Sequence, residues 1–208
     1  MVGPAADLVM TPLSELMTNP FRKVEIGQVD FDLDVRRGRE AATIEALDLD
    51  RPQAAPGSQV TLYVRLKPFR GESIVKEIPL RIPDTATPGT TANILVADAA
   101  SGRVIDREFD PGFYDPRSFD DLVEVLQKMD SNRSLVVRAA FVDRGLRYAG
   151  SAMPALPSSA LSILEFNRGG GRTTPLMNDV RFTVPTAWVL QGSQMVSIAI
   201  KEPEPLNP

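Results

Sequence analysis

The chain of 208 residues contains no histidine and no cysteine. A Cys or His metal site, a thiol nucleophile and a Ser-His-Asp triad are therefore excluded. Carboxylates are densest between residues 106 and 121, where they are Asp106, Glu108, Asp110, Asp115, Asp120 and Asp121. Such oxygens can bind a divalent cation or support hydrolysis. Asp-Pro pairs also begin turns, and acidic residues favour the first turn of a helix, so a turn-and-cap role is the preferred interpretation.

A second acidic motif lies near the start of the chain. Asp30, Asp32 and Asp34 have the spacing that opens a calcium-binding loop. That loop needs Gly at its sixth position and Glu at its twelfth, where this chain has Val35 and Ala41. Apolar residues alternate with the aspartates, so we interpret them as the solvent face of a strand.

Two further patterns resemble catalytic or anion-binding motifs. Ser73 and Lys76 have the S-x-x-K spacing of acyl-enzymes, which requires a helix, whereas this segment alternates like a strand. Arg168 and Arg172 flank three glycines without the Lys-Ser/Thr of a phosphate loop. We therefore predict no catalytic dyad and a plain glycine-rich loop, and no residue is assigned to a cofactor or a metal.

The charge and hydropathy of the chain restrict the classes of partner and the cellular locations that can be expected. The 27 acidic and 23 basic residues give a net charge of -4, and the basic residues form no run, which argues against nucleic-acid binding. The apolar stretches are too short to cross a bilayer. The first residues also lack the features of a secretory signal, which leaves a cytoplasmic protein or a piece of a longer secreted chain as expectations.

The hydrophobic pattern mostly has the period of strands. The clearest strand contains Val60, Leu62, Val64 and Leu66, which alternate with polar residues. In the next strand Pro79 has the outward parity, and it predicts a sheet edge or a place beside a bulge because proline cannot donate to a ladder. Further strands are predicted at 22–35, 41–49, 90–97 and 103–109, and this spacing is typical of an immunoglobulin-like β-sandwich.

The predicted fold class is mostly β, a β-rich α+β chain with an immunoglobulin-like sandwich followed by a smaller mixed α/β part. Ser118 and Asp121 form a capping box for the main helix, near 119–130. A shorter helix is predicted at 11–17, with Thr11 as N-cap and Asn19-Pro20 as its end. The predicted divisions are an N-terminal lead-in (1–21), the sandwich (22–109), the mixed region (110–201) and a flexible tail (202–208).

Several segments, in order, resemble the non-catalytic C-terminal region of bacterial SpoIVB-type serine peptidases, over about residues 56–200. They are Pro56-Gly57-Ser58, Leu66-Lys67-Pro68-Phe69-Arg70-Gly71-Glu72, Ile82-Pro83, Asn132-Arg133-Ser134-Leu135-Val136-Val137-Arg138, Leu156-Pro157-Ser158-Ser159 and Val189-Leu190-Gln191-Gly192-Ser193. The resemblance implies an extracytoplasmic accessory module beside a serine peptidase domain. That family's peptidase chemistry needs a histidine, so no catalytic residue is transferred.

Two function classes follow from these observations. The favoured one is a binding or regulatory module, whose partner is a serine peptidase domain in the same parent chain or another protein. Its candidate interaction residues are Phe69, Arg70, Glu72, Arg168, Arg172 and Trp188. The alternative is a carboxylate-based or metal-assisted hydrolase that uses the region from Asp106 to Asp121. A structural domain without a ligand is a third reading.

Overall fold

The computed structural model describes residues 3–30, 38–109, 116–148, 151–153 and 173–202. Its helices are α1 (Gly3–Thr18), α2 (Ala99–Phe109) and α3 (Phe119–Gln127). Its strands are β1 (Ala41–Leu49), β2 (Gln53–Ala54), β3 (Gln59–Pro68), β4 (Ile74–Arg81), β5 (Thr91–Ala97), β6 (Ser134–Tyr148), β7 (Ser151–Met153), β8 (Thr173–Pro185), β9 (Val189–Gln191) and β10 (Ser193–Ile200).

The chain divides into two compact units that interleave along the sequence. One unit comprises residues 1–39 and 102–131 and contains α1, α3 and most of α2. The other comprises residues 40–101 and 132–208 and contains the strands. Strands that follow residue 131 thus join the same sheets as strands that precede residue 101.

Two sheets make up the strand unit. One has the order β4-β3-β1-β9, and the other has the order β2-β10-β5-β6-β7 with β8 also paired to β6. The pairs are antiparallel except for β1 with β9 and β10 with β2, which are parallel. Inward side chains of both sheets belong to one hydrophobic core. The mostly β prediction is confirmed.

The core follows from alternation within the strands. Val60, Leu62, Val64 and Leu66 of β3 are fully buried, as their period of two predicts. Phe141 of β6 is the largest fully buried side chain among the described residues. These side chains remove a continuous apolar layer from water, which is the main stabilising contribution to a two-sheet fold.

Pro79 lies in an edge strand, where its missing N–H leaves no hydrogen bond of the sheet unmade. Within the described residues β4 pairs with β3 alone and forms the edge of the four-stranded sheet. Pro79 is exposed and stands opposite Thr61. The predicted edge position is confirmed.

Strand β1 contains a β-bulge that the pattern of apolar residues does not indicate. The register with β3 shifts between Ile44 and Ala46, so Glu45 is the extra residue. Ala42 and Ile44 are buried before the bulge and Leu47 after it, which brings residues of both parities to the core. A simple alternation therefore cannot assign the phase of this segment.

Residues 103–109, predicted as a strand, instead belong to helix α2. Ala99, Gly102 and Asp106 are buried at helical spacing, and the preceding Asp98 accepts a hydrogen bond from Ser101 N. The segment forms a helix because it has an N-cap and because its buried residues are three and four positions apart. These two features have more effect than the short apolar run that suggested a strand.

The N-terminal predictions also need correction. Helix α1 begins at Gly3, so Thr11 is not its N-cap and Pro12 lies inside it. Its end is as predicted, because the Asn19 side chain donates to Leu16 O and accepts from the next two amides that follow Pro20.

The strand predicted at 22–35 is not formed in its described part, residues 22–30. Ile26 and Val29 are exposed there. Alternation needs a neighbouring strand to become a ladder, and no described strand pairs with this segment. Asp32 and Asp34 lie outside the described residues, while Asp30 accepts a hydrogen bond of 2.7 Å from Gln28 Nε2.

The predicted main helix is present as α3, and Ser118 is its N-cap. Ser118 Oγ accepts from Asp121 N at 3.1 Å. The Asp121 carboxylate accepts from Arg117 N at 3.2 Å, one residue before the amide that a standard capping box uses. Leu122 is buried on the apolar side of this helix.

A single residue, Gly192, carries the chain from the four-stranded sheet to the six-stranded sheet, between β9 and β10. Its φ of +103° is in the region that favours glycine. Asp98 fixes it from both sides, since Asp98 N donates to Gly192 O at 3.0 Å and Gly192 N donates to the Asp98 carboxylate at 2.6 Å. The other oxygen of Asp98 caps α2.

Replacing Asp98 with Ala removes the acceptor of two backbone amides. We expect the free energy of unfolding to fall by about 2–3 kcal/mol, because a lost N-cap costs about 1 kcal/mol and an unpaired buried donor about 1–3 kcal/mol. Asp98→Asn keeps one acceptor oxygen and should cost roughly half as much. Urea denaturation followed by circular dichroism measures both. Equal stability of Asp98→Ala and the wild type would contradict this role.

Asp50 directly follows β1, and two residues donate hydrogen bonds to its carboxylate. Arg51 donates to its carboxylate at 2.8 Å, and Thr61 N donates at 3.1 Å. The hydrogen bond from Arg51 is the main cause that lowers the pKa of Asp50 from 3.8, and the backbone amide of Thr61 adds to it. The ionised carboxylate therefore favours the folded chain.

Because the pKa of Asp50 is lower when folded, its stabilising contribution is complete well above about pH 4 and is lost as pH falls through the folded-state value. Asp50→Asn should be less stable than the wild type at neutral pH, by less than the Asp98→Ala variant, since this carboxylate is near the surface. The difference should shrink in thermal unfolding as the pH is lowered below about 4. A difference that grows on acidification would refute the assignment.

Candidate functional site

A groove of about 400 Å³ opens at one end of the strand unit. One wall is the start of β4, at the edge of the four-stranded sheet, and the other is the turn between β8 and β9. The lining side chains are mostly apolar; they are Ile74, Val75, Lys76, Pro185, Thr186, Ala187 and Trp188. We call this the Trp188 groove.

Trp188 is the only tryptophan of the chain, and its side chain lines the groove and also packs against the core. It is half-buried and packs against the core side chains. From the sequence, Trp188 is a candidate interaction residue. The core contact is present, and the partial exposure leaves part of the ring available in the groove.

The turn that carries Trp188 is fixed by hydrogen bonds. Thr186 N donates to Arg133 O at 2.7 Å, and Thr186 Oγ1 lies 2.8 Å from the same carbonyl. The hydroxyl also accepts from Trp188 N at 3.3 Å. Arg133 donates to Ala187 O at 2.8 Å. This wall of the groove is therefore held in place before any partner arrives.

Arg133 also connects the turn to the start of β1. Its guanidinium lies 2.6 Å from the Glu40 carboxylate, and Val189 N donates to Glu40 O at 2.8 Å. Both charged side chains are about half exposed, so the ion pair contributes little stability and serves mainly to orient Arg133.

The turn between β3 and β4 lies at the same end. Phe69 N donates to Ala41 O at 2.8 Å, and Ala41 pairs with Val189 on its other side. Phe69 is 47% exposed, Val75 56% and Val189 41%. These three residues and Trp188 lie toward the same end of the strand unit, and we call the four of them the end surface.

Arg70 gives this turn an unusual conformation. Its φ is +58°, a value that few residues other than glycine adopt and that costs on the order of 1 kcal/mol. Its guanidinium lies 5.2 Å from the centre of the Phe69 ring, within the range of a cation–π contact. The turn thus keeps an exposed aromatic ring and a charge next to each other.

The structure brings most of the candidate interaction residues together. Phe69, Arg70 and Glu72 share the β3–β4 turn and are exposed, and Trp188 lies at the same end of the sheets. Arg168 and Arg172 lie outside the described residues. The end surface was visible in the sequence only as separate candidates, because its segments are joined by pairings of β1 with β3 and with β9.

The acidic residues between 106 and 121 take separate places. Asp120 and Asp121 are in the first turn of α3, and Asp106 is buried in α2. Asp110 and Asp115 lie outside the described residues. In the part of the chain that the structure describes, no group of three or more acidic side chains could hold a metal ion. No observation there favours the carboxylate-based hydrolase.

Ser73 and Lys76 do not share a helix. Ser73 precedes β4 and donates to the Glu45 carboxylate at 3.1 Å, while Lys76 is within β4 and lines the groove. Positions three apart in an extended chain face opposite sides, so the S-x-x-K spacing gives no shared site here.

The ion pair between Arg138 and Asp179 was not identified from the sequence. Arg138 of β6 is buried on the side of the sheet opposite the core, and its Nε donates to Asp179 of β8 at 3.0 Å, with a second bond from its terminal nitrogen. The sequence feature that could have indicated this pair is the charged Arg138 within the otherwise apolar run from Leu135 to Ala140. Buried arginine needs a carboxylate, and a bidentate pair supplies it.

Comparison with known proteins gives no match. No protein-family model matches the chain, and neither the curated proteins nor the solved structures contain a match. Among the helices that the structure describes, none is long and apolar enough to cross a membrane.

Thr186→Val tests whether the hydroxyl holds the Trp188 turn. The variant keeps the shape of the side chain and leaves Trp188 N without its acceptor, so we expect a loss of about 1 kcal/mol and a red shift of tryptophan emission. Thr183→Val, at an exposed position of β8, is the matched control and should change neither. If the two variants behave alike, the hydroxyl does not fix the turn.

Proposed function

We propose that the protein is a non-catalytic accessory module that binds another polypeptide through the end surface. The observation that carries the proposal is the gathering of Phe69, Val75, Trp188 and Val189 at one end of the strand unit, beside a pre-formed groove. Exposed apolar side chains that gather in one region are typical of interaction sites on soluble proteins.

The rest of the face that carries Val75 provides a contrast. The outward residues of β3 are Thr61, Tyr63, Arg65 and Lys67, and Arg65 lies 3.9 Å from Asp48 of β1. Apart from Val75, this part of the face is polar and carries an ion pair, as expected for a surface in contact with water. Apolar exposure at the end surface is therefore a local feature rather than the general character of the sheet.

The resemblance to SpoIVB-type serine peptidases supports a partner class. In this proposal the module docks or restrains a serine peptidase domain of the same parent chain, outside the cytoplasm. The lack of histidine agrees with a role that contributes no catalytic group. We further propose that the two sheets form an immunoglobulin-like sandwich, which their mainly antiparallel pairing and common core favour.

The first test is the reading frame that encodes this chain. We expect it to encode a serine peptidase domain upstream, and that domain, expressed separately, should bind the protein with saturation in calorimetric titration. A double variant, Phe69→Ala with Val75→Ala, should weaken binding by about tenfold or more, because apolar anchors dominate such interfaces.

Met195→Ala is the matched control for this titration. Met195 is 63% exposed and lies on β10, in the other sheet, so its truncation should leave affinity unchanged. A reading frame without a peptidase domain, a titration without heat of binding, or an equal effect of both variants would overturn the proposal.

A further inference from the structure

The edge of β4 offers backbone groups that face away from β3. Ile82 N donates to Ser58 O at 2.9 Å and Ile82 O accepts from Gly57 N at 3.1 Å, so position 82 is bonded on the β3 side. Antiparallel pairing alternates, which turns the backbone groups of the odd-numbered residues of β4 outward. Val75 and Glu77 therefore present both N–H and C=O at the edge, and Pro79 presents only C=O.

Two copies of this edge do not fit each other in registers centred on Lys76 to Pro79. Antiparallel pairing about a twofold axis at Lys76 places two lysines directly opposite, and pairing about Glu77 places two glutamates opposite. An axis at Ile78 or Pro79 aligns Pro79 with a position that needs its missing N–H. The central part of the edge is thus protected against self-association, as edge strands in natural proteins commonly are.

A different polypeptide can satisfy the same groups. Glu77 is exposed and has no ion-pair partner among the described residues, and its neighbour across the ladder is Tyr63. A strand added at this edge places a side chain directly opposite Glu77, where a basic residue is favoured and an acidic one is not.

The other face of an added strand meets the groove. Ile74 and Lys76 have the parity opposite to Glu77 and line the Trp188 groove. Alternate residues of the added strand point to the same side and approach Trp188. That wall is mostly apolar, so it suits an apolar side chain.

We infer that the β4 edge accepts an extended segment of a partner polypeptide by antiparallel strand addition, with an arginine or lysine opposite Glu77 and apolar residues in the Trp188 groove. The inference rests on the proposed function and specifies how the partner is bound. Main-chain bonds supply affinity in this mode, and the alternating pockets supply specificity.

The probe is the peptide acetyl-Thr-Leu-Arg-Leu-Thr-amide, whose arginine aligns with Glu77 and whose leucines face the groove. Because Trp188 is the only tryptophan, its emission reports the groove directly. We expect a saturable blue shift at peptide concentrations up to about 1 mM. N-methylation at arginine removes the donor to β4 and should abolish the shift, whereas N-methylation at the second leucine, whose amide points away, should preserve it.

Charge exchange tests the basic position. Replacing the arginine of the peptide with glutamate should weaken binding about fivefold, and the protein variant Glu77→Lys should restore binding of that glutamate peptide. An absent response of Trp188, equal binding of both N-methylated peptides, or no rescue by Glu77→Lys would overturn the inference. A dimer in sedimentation that Val75→Pro dissociates would overturn it in favour of a second copy.

Failure of this inference is distinguishable from failure of the proposed function. If the peptidase domain binds through Phe69 and Val75 while the peptides give no response, strand addition is wrong and the accessory role stands. If the peptides bind as expected and the peptidase domain does not, the edge is an acceptor for a partner of another class.

Discussion

The strand unit depends on how one glycine is held. Gly192 is the whole connection between β9 of one sheet and β10 of the other, and its backbone conformation is one that other residues adopt at a cost. Asp98 binds its N–H and its carbonyl, and the same carboxylate caps α2. Without this crossing, the short β9 would not reach its parallel position beside β1, and the core would lack Leu190.

The position of the groove follows from that crossing. Since β9 starts at Val189, the residues just before it form the turn that carries Trp188 past the start of β6. There Arg133 binds the turn, and Asn132 O accepts from Leu190 N of β9. On the other side of β1, the β3–β4 turn is tied by Phe69 N to Ala41 O. The end surface is thus assembled around the first residues of β1, and its chain segments are far apart in the sequence.

Local rules predicted the elements whose signals are local. The alternation in β3, the edge role of Pro79 and the Ser118 cap of α3 each depend on chemistry within a few residues, and the structure agrees with them. Residues 22–30 show the limit of alternation, because a strand also needs a partner that the sequence does not display. In α2 the decisive features were the Asp98 cap and a spacing of three and four, which a short strand-like run concealed.

The candidate site was predictable in part for the same reason. Phe69 and Trp188 stand out as an exposed aromatic in a turn and a lone tryptophan, but their common location arises from pairing of β1 with two different neighbours. The Arg138–Asp179 pair likewise depends on the register of β6 with β8, over a separation of 41 residues. Contacts of this kind depend on the pairing of strands that are far apart in the sequence, so no local sequence motif predicts them.

The parallel pairings at the margins of the two sheets have a mechanical consequence. Strand β1 runs alongside β9, and β2 runs alongside β10, in the same direction. When the beginning of one parallel strand and the end of its neighbour are pulled apart, their hydrogen bonds bear the load together in shear instead of opening one after another. A chain under tension between residue 41 and residue 200 would therefore resist through both margins at once.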